Sequence, residues 1–192
     1  LALPASGKSE VRNYLTHLSP DVSAKDFHMG PTVQLDDYPY VHIMRRIDDE
    51  LANLGAGRIY YQGPDRPFRN PLDWGTLITL VNEDHEDLVA KKTHNVPSAA
   101  EYLLDRLDRA SAKIGAPARM KALPAATRKS LAAALEKECQ EMILALEKNY
   151  PDTLAGKTLV IEFARGGPDG SAMPLPSPLG YLYSVAQLSD AL

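Results

Sequence analysis

One cysteine, one tryptophan and three phenylalanines are few for 192 residues. The lone Cys139 excludes an intrachain disulfide framework and fits a reducing compartment. Basic residues are not in excess: Lys and Arg number 21 against 25 Asp and Glu, a net charge of −4. A general nucleic-acid-coating role is disfavoured, because such domains are strongly basic. No apolar run approaches the roughly 18 residues needed to cross a bilayer. The opening residues, LALPASGKSE, carry neither a basic n-region nor a long apolar h-region. The expectation is a cytoplasmic chain without a secretory leader or membrane partner. Disorder is excluded by composition, with 44% apolar and 24% charged residues, close to the globular average. The length fits one domain, or one core with a large insertion.

What is present begins at the first residues. Ala2 to Ser9, ALPASGKS, fits the phosphate-loop spacing G-x-x-x-x-G-K-[ST] with Ala2 in the first position. A tight turn of this kind aims backbone N–H groups at phosphate oxygens, and the following helix adds its dipole. Gly7 lets the backbone approach closely, Lys8 neutralises the β- and γ-phosphates, and the Ser9 hydroxyl ligates Mg²⁺. Val11, Tyr14, Leu15 and Leu18 follow at helical spacing, so the motif opens a helix. The alternative is an ordinary Gly-Lys-Ser helix cap. A phosphate loop needs a buried strand before it, and only Leu1 to Leu3 precede this one. The sequence therefore reads as cut inside or just after its first strand.

Further along, Thr32 to Leu35 is a β-rich run that stops at Asp36-Asp37-Tyr38, between Pro31 and Pro39. Helices are predicted for Tyr40–Leu54, Asp73–Lys92, Ser98–Ile114 and Ala125–Asn149 from their apolar stripes and end signals. Ser98 to Glu101 has the capping-box pattern. Ile59 to Tyr61 reads as a strand or an extended segment, and Gly63 to Pro71 as a Pro-rich loop. Lys157 to Phe163 is a dense β-branched run, short enough for a buried strand. A second Pro-rich loop covers Pro168 to Gly180, and Tyr181 to Leu192 resumes helical spacing.

These residues together resemble the P-loop kinases, the nucleoside and nucleotide kinases of adenylate-kinase-like or uridine-kinase-like type. The loop ALPASGKSE is similar to their phosphate loop. Leu35 to Tyr38, LDDY, looks like the second-strand end of uridine-kinase-like enzymes, where an aspartate deprotonates the substrate hydroxyl. Ile161 to Gly167, IEFARGG, looks like the third-strand end, where nucleotide kinases carry an acid, a glycine and an arginine. Glu162 stands where those enzymes commonly have an aspartate, and no separate lid is visible.

The resemblance implies an α/β chain, a three-layer α/β/α parallel sheet of the P-loop NTPase type with a large helical insertion. Residues 1–38 hold the loop and first part of the core. Residues 39–156 form a mostly helical arm for substrate or partner, too long for a simple crossover. Residues 157–192 hold the third core strand, the Pro-rich loop and a helix. The implied reaction is transfer of a γ-phosphoryl group from ATP, or another NTP, with Mg²⁺, to a small acceptor such as a nucleoside, nucleotide or related metabolite. Pro4, Ala5, Ser6, Gly7, Lys8, Ser9 and Glu10 are the nucleotide-binding candidates. Lys8, Asp36 and Arg165 are the catalytic candidates, and Ser9, Asp36 and Glu162 the Mg²⁺-linked ones. Asp37, Tyr38, His42, Arg45 and Arg46 are the acceptor-binding candidates.

Each has a plainer alternative. Asp36 and Asp37 also suit an Asx turn before Pro39, and Glu162 a capping carboxylate. Arg165 suits a surface salt bridge, and Arg45 and Arg46 a basic face paired with Asp48, Asp49 or Glu50. Arg58, Arg66 and Arg69, interleaved with Tyr60, Tyr61 and Phe68, either stack a base or form a structured surface loop. Asn82 to Asp87, NEDHED, reads as a solvated acidic face rather than a metal cluster, because adjacent helical residues point apart. Cys139 and Trp74 read as packing residues. Pro174, Pro176 and Pro178 read as a loop over the site or as a polyproline ligand. A rival reading of the whole is a nucleotide-binding regulatory module whose arm docks a protein partner or a second copy. A nucleic-acid end kinase is a third, against which the negative charge counts. The base-specificity motif of GTPases, N/T-K-x-D, does not occur.

Overall fold

Two short β-branched runs, far apart in the chain, lie side by side. The first is β1 (Thr32–Asp36) and the second β2 (Thr158–Glu162). They pair in parallel, with Thr32 opposite Thr158, Leu35 opposite Ile161 and Asp36 opposite Glu162. The computed structural model describes residues 8–162, 181–190 and 192. Before β1 come α1 (Lys8–His17) and α2 (Pro20–Phe27). Between the strands run α3 (Tyr38–Asn53), α4 (Asp73–Ala90), α5 (Ala99–Lys113) and α6 (Ala125–Lys148). After β2 comes α7 (Tyr181–Ala186). The chain is thus mixed α and β, and its sheet has two strands among the described residues.

The strand starts meet closely. Thr158 N donates to Pro31 O at 3.0 Å, and Gly30 N donates to Thr158 Oγ1 at 3.1 Å. A Cβ on Gly30 would stand 1.7 Å from Gly156 O, so only glycine fits. Gly156 itself turns at φ +71, the left-handed region that favours glycine.

Alternation along β1 separates its two faces. Val33 and Leu35 are buried against Val81 and Leu88 of α4, with Leu159, Ile161 and Tyr150 alongside. Gln34 and Asp36 point to the other face and are half-buried. α4 is buried nearly all round, as a helix packed on both sides must be. Leu77 and Leu80 join the larger core, which includes Ile43, Met44, Ile47, Leu51, Leu103 and Leu135. α3, α5 and α6 close that core, and α4 joins it to the sheet.

Local signals explain the helix starts. Ser19 caps α2, its side chain accepting from Val22 N, and Pro20 occupies the first turn. Pro39 does the same for α3, which starts two residues earlier than its stripe predicts. Ser98 Oγ accepts from Glu101 N at 3.2 Å, the first half of the expected capping box. The second half is replaced. Glu101 pairs with Arg128 of α6 at 2.7 Å. Glu136 of α6 takes the free donors at the start of α5, Ala99 N at 2.8 Å and Ala100 N at 3.1 Å.

Two expectations are corrected. The acidic run on α4 is not a solvated face. Asp84 and Asp87 are buried, and Glu83 and Asp84 meet Arg106 of α5 at 2.8 and 2.9 Å. The aromatics of the basic–aromatic stretch are not at the surface either. Tyr60, Tyr61 and Phe68 are core residues, and an antiparallel bridge joins Tyr61 to Phe68. The buried Asp48 carboxylate accepts from Ile59 N, Tyr60 N and Tyr61 N at 2.7 to 3.0 Å, which holds this segment against α3. Trp74 and Cys139 pack in the core, as their sequence context predicts. Among the described residues no helix is long and apolar enough to cross a membrane.

Candidate functional site

The carboxyl ends of parallel strands are where α/β sheets bind ligands. In this chain that edge carries Asp36 and Glu162, directly opposite each other in the ladder. Gln34, two residues before Asp36, shares their face. Its Nε2 donates to Asp36 Oδ2 and to Glu162 Oε2, both at 3.3 Å. One amide group thus bridges two acids that lie 126 positions apart in sequence.

The strand end turns directly into α3. Asp36 Oδ1 accepts from Tyr38 N at 2.8 Å, the Asx turn expected before Pro39. Asp37 is buried; its N–H continues the ladder to Glu162 O at 3.3 Å, and its carbonyl accepts from Tyr40 N and Val41 N. Tyr38 is exposed, and its ring stacks on His42 with centroids 6.4 Å apart. The Asx turn and a catalytic role for Asp36 are compatible, because the turn uses one oxygen and a carboxylate accepts several hydrogen bonds.

A cleft of about 510 Å³ opens beside this edge. Gln34, Asp36 and Pro39 line one side, and Met142, Ala145, Leu146 and Asn149 line the other. Three of those four belong to α6, and Asn149 follows its last turn. Sequence reasoning missed this wall and missed Gln34. The signal was available: positions 142, 145, 146 and 149 have the spacing of one helix face, and Gln34 alternates with buried Val33 and Leu35.

The basic acceptor-binding candidates lie elsewhere on α3. His42 Nε2 contacts Glu138 Oε1 at 2.5 Å. Arg46 pairs with Glu50 at 2.8 Å and with Glu138 at 3.1 Å. Burial raises the Glu138 carboxyl, but hydrogen bonds from His42 and Arg46 outweigh this and hold it below its usual range. Arg45 donates to Pro64 O and lies over the Tyr61 ring, 4.2 Å from its centroid. Arg46 thus makes the pairing that its plainer reading predicts, with an added partner on α6. The Glu138 cluster ties α3 to α6, and none of these three basic residues lines the cleft.

Lys8, Ser9 and Glu10 open α1; Glu10 is exposed, and the side chains of Lys8 and Ser9 lie outside the described part. Pro4, Ala5, Ser6, Gly7, Phe163 and Arg165 lie outside the described residues, as does the Pro-rich loop with Pro174, Pro176 and Pro178.

The donor set can be tested against Mg²⁺. Asp36 and Glu162 present hard carboxylate oxygens, and Mg²⁺ is usually held by one or two carboxylates together with waters and phosphates. Among the described residues no group of three or more His, Cys, Asp or Glu gathers around one point. A two-carboxylate edge fits a shared, phosphate-bound Mg²⁺ rather than an all-protein cage. No family model matches the chain, and no curated protein and no solved structure matches it.

Proposed function

We propose that the protein is an ATP- and Mg²⁺-dependent phosphotransferase of the P-loop kinase type. It passes the γ-phosphoryl group to a small acceptor. The observation that carries this reading is the register of β1 and β2. It brings Asp36 and Glu162, the two acids picked out by the kinase resemblance, to one carboxyl edge. The loop sequence ALPASGKS, running into α1, is the second support.

In this reading the backbone N–H groups of Ala5, Ser6 and Gly7, in the turn that Pro4 begins, and the Lys8 ammonium bind the β- and γ-phosphates, with Glu10 in the helical turn behind them. Ser9 would hold Mg²⁺, with Asp36 and Glu162 linked to it through water, and the ion would supply charge neutralisation for the transferring phosphoryl group. Gln34 orients both carboxylates. The acceptor oxygen bonds to the γ-phosphorus as the bond to the β-phosphate oxygen breaks and ADP leaves. Asp36 accepts the hydroxyl proton when the acceptor is an alcohol. Arg165 steadies the transferring group. Pro39 lines the cleft where the acceptor enters, and the exposed Tyr38 lies next to it in the chain. A reducing, cytoplasmic setting suits the single buried Cys139.

The test is Lys8→Ala. ATP turnover, read as ADP release with an acceptor panel, is expected to disappear while the far-UV circular dichroism stays unchanged. Normal turnover in a well-folded Lys8→Ala protein overturns the proposal. Tight nucleotide binding with no acceptor-dependent turnover points to the regulatory-module reading instead.

A further inference from the structure

Asn82, the first residue of the NEDHED run on α4, uses its side-chain amide on the chain that follows α7. Its Nδ2 donates to Gln187 O at 2.7 Å, and its Oδ1 accepts from Ser189 N at 3.1 Å. One carboxamide thus supplies both the donor and the acceptor that a neighbouring backbone would offer. Gly75 lies seven residues earlier, about two turns, and so on the same face of α4. Tyr183 of α7 is seated there. A Cβ on Gly75 would run into the Tyr183 hydroxyl, which accounts for a glycine inside a helix, where it is otherwise unfavourable. Residues 181–190 therefore dock on α4 at two points, an aromatic ring on Gly75 and a backbone stretch on Asn82.

The docking carries a built-in opposing contact. The Tyr183 hydroxyl is buried and has no hydrogen-bond partner among the described residues. Burial, with the buried Asp73 nearby, pushes this phenol above its ordinary value of 10.0, so it keeps its proton. A buried donor without an acceptor opposes the contact that buries it, and water satisfies the group on release. Little else holds the segment. From Tyr183 to Asp190 every side chain is half-buried or exposed. α7 has six residues, too few for a helix that stands without tertiary support. Shallow burial and reliance on one amide place the segment at the low-stability end of the fold.

We propose that residues 181–190 are a releasable strap on α4, clamped by Asn82 and kept poised by the orphan hydroxyl of Tyr183. Docked, the strap fixes the far end of the chain that leaves the carboxyl edge of β2. Released, it lets that end go and bares the face of α4 between Gly75 and Asn82. The strap does not depend on the phosphotransferase reading, and its test contains no nucleotide.

The test is backbone hydrogen exchange on the full chain. Gln187 N and Leu188 N bond within the strap, to Ser184 O and Val185 O at 3.1 Å. They respond to Asn82 only if the segment opens as a unit. In the native chain both are expected to exchange about a hundredfold faster than the buried Leu103 and Leu107 of α5. Asn82→Ala is expected to speed both about tenfold further, with α5 unchanged. Gly75→Ala is expected to speed them as well, although alanine is the better helix former. Tyr183→Phe is expected to slow them about threefold or more, because the orphan hydroxyl is gone. Strap amides that exchange at the α5 rate overturn the proposal, since the segment then opens only with the whole fold. So does an Asn82→Ala chain in which Gln187 and Leu188 exchange as before, or a Tyr183→Phe chain whose strap is no slower. The α5 amides report any general unfolding in the same sample, and Tyr183→Phe keeps the test decisive if Gly75→Ala does not fold.

Discussion

Replacing Arg106 with Met exposes the main electrostatic joint of the helical body. Arg106 is buried where α3, α4 and α5 meet. Its Nε donates to Glu83 at 2.8 Å, and its Nη2 donates to Asp84 at 2.9 Å and to Leu80 O at 3.2 Å. Its Nη1 donates to Tyr40 OH at 2.9 Å, and Tyr40 OH donates to Asp84 at 2.6 Å. Burial pushes the Asp84 carboxyl above its ordinary value of 3.8, and Arg106 pulls it back. Methionine keeps much of the side-chain volume and removes the charge, so Asp84 is left buried without its counter-ion. Breaking a buried pair this way costs about 3–5 kcal/mol. With a urea slope of about 2 kcal/mol per molar, the unfolding midpoint falls by about 2 M. The single tryptophan, Trp74, lies in the core against Phe68 and reports the transition by fluorescence.

The pH dependence has a definite sign. A raised carboxyl in the folded state means that the fold prefers Asp84 protonated. Removing Arg106 raises it further. The loss in Arg106→Met is therefore largest at neutral pH and shrinks as pH falls through the raised Asp84 value. Adding Asp84→Asn to Arg106→Met is expected to restore part of the stability, because the unpaired charge is gone. The reasoning fails if Arg106→Met lies within about 1 kcal/mol of the native protein at pH 7, the effect of a typical substitution. It also fails if the loss is the same in the Asp84→Asn background.

Three other outcomes follow from single contacts. Glu136→Gln removes a charged cap from α5 and is expected to cost about 1–2 kcal/mol in urea unfolding. Burial raises the Glu136 carboxyl, but hydrogen bonds from Ser98, Ala99 and Ala100 outweigh it and hold it low. Its contribution is thus present at neutral pH, and the gap to the variant closes as pH drops below the ordinary 4.5; a gap that persists at acid pH refutes the cap. Gly30→Ala drives a methyl group into Gly156 O and is expected to lower the melting temperature by several degrees and loosen hydrogen exchange at β1 and β2; native-like exchange there refutes the close approach. Burial pushes the Cys139 thiol up to about 12, leaving about one thiolate in ten thousand at pH 8. Iodoacetamide is expected to label it only after unfolding, and rapid labelling of the native chain contradicts its place in the core.

Much of the local structure was legible. An apolar stripe located α3, end signals located α4 and α5, and composition located α6, each to within a few residues, and β-branched runs located β1 and β2. Such periodicity is written in neighbouring residues, so it survives without tertiary knowledge. α2 escaped because its eight residues leave Val22 and Phe27 exposed and carry no continuous stripe. The Ser19-Pro20-Asp21 start was its readable signal. In the candidate site, Asp36, Asp37 and Glu162 were legible as acids at strand ends.

The sequence by itself determined which segments are helical or extended, the phosphate-loop pattern at Ala2 to Ser9, and the absence of a disulfide framework. Only the tertiary structure decided which residues meet. It placed Glu162 beside Asp36 under one Gln34 amide, and turned the last turns of α6 over the sheet as a cleft wall. It also buried Asp84 and Asp87 of NEDHED, where Arg106 arrives from the next helix to pair with Glu83 and Asp84. It made core residues of Tyr60 and Tyr61, because Asp48 satisfies their backbone N–H groups. The physical reason is common to all four. Helix and strand periodicity are properties of adjacent residues, whereas strand pairing, desolvation and charge compensation depend on partners that chain position alone does not specify.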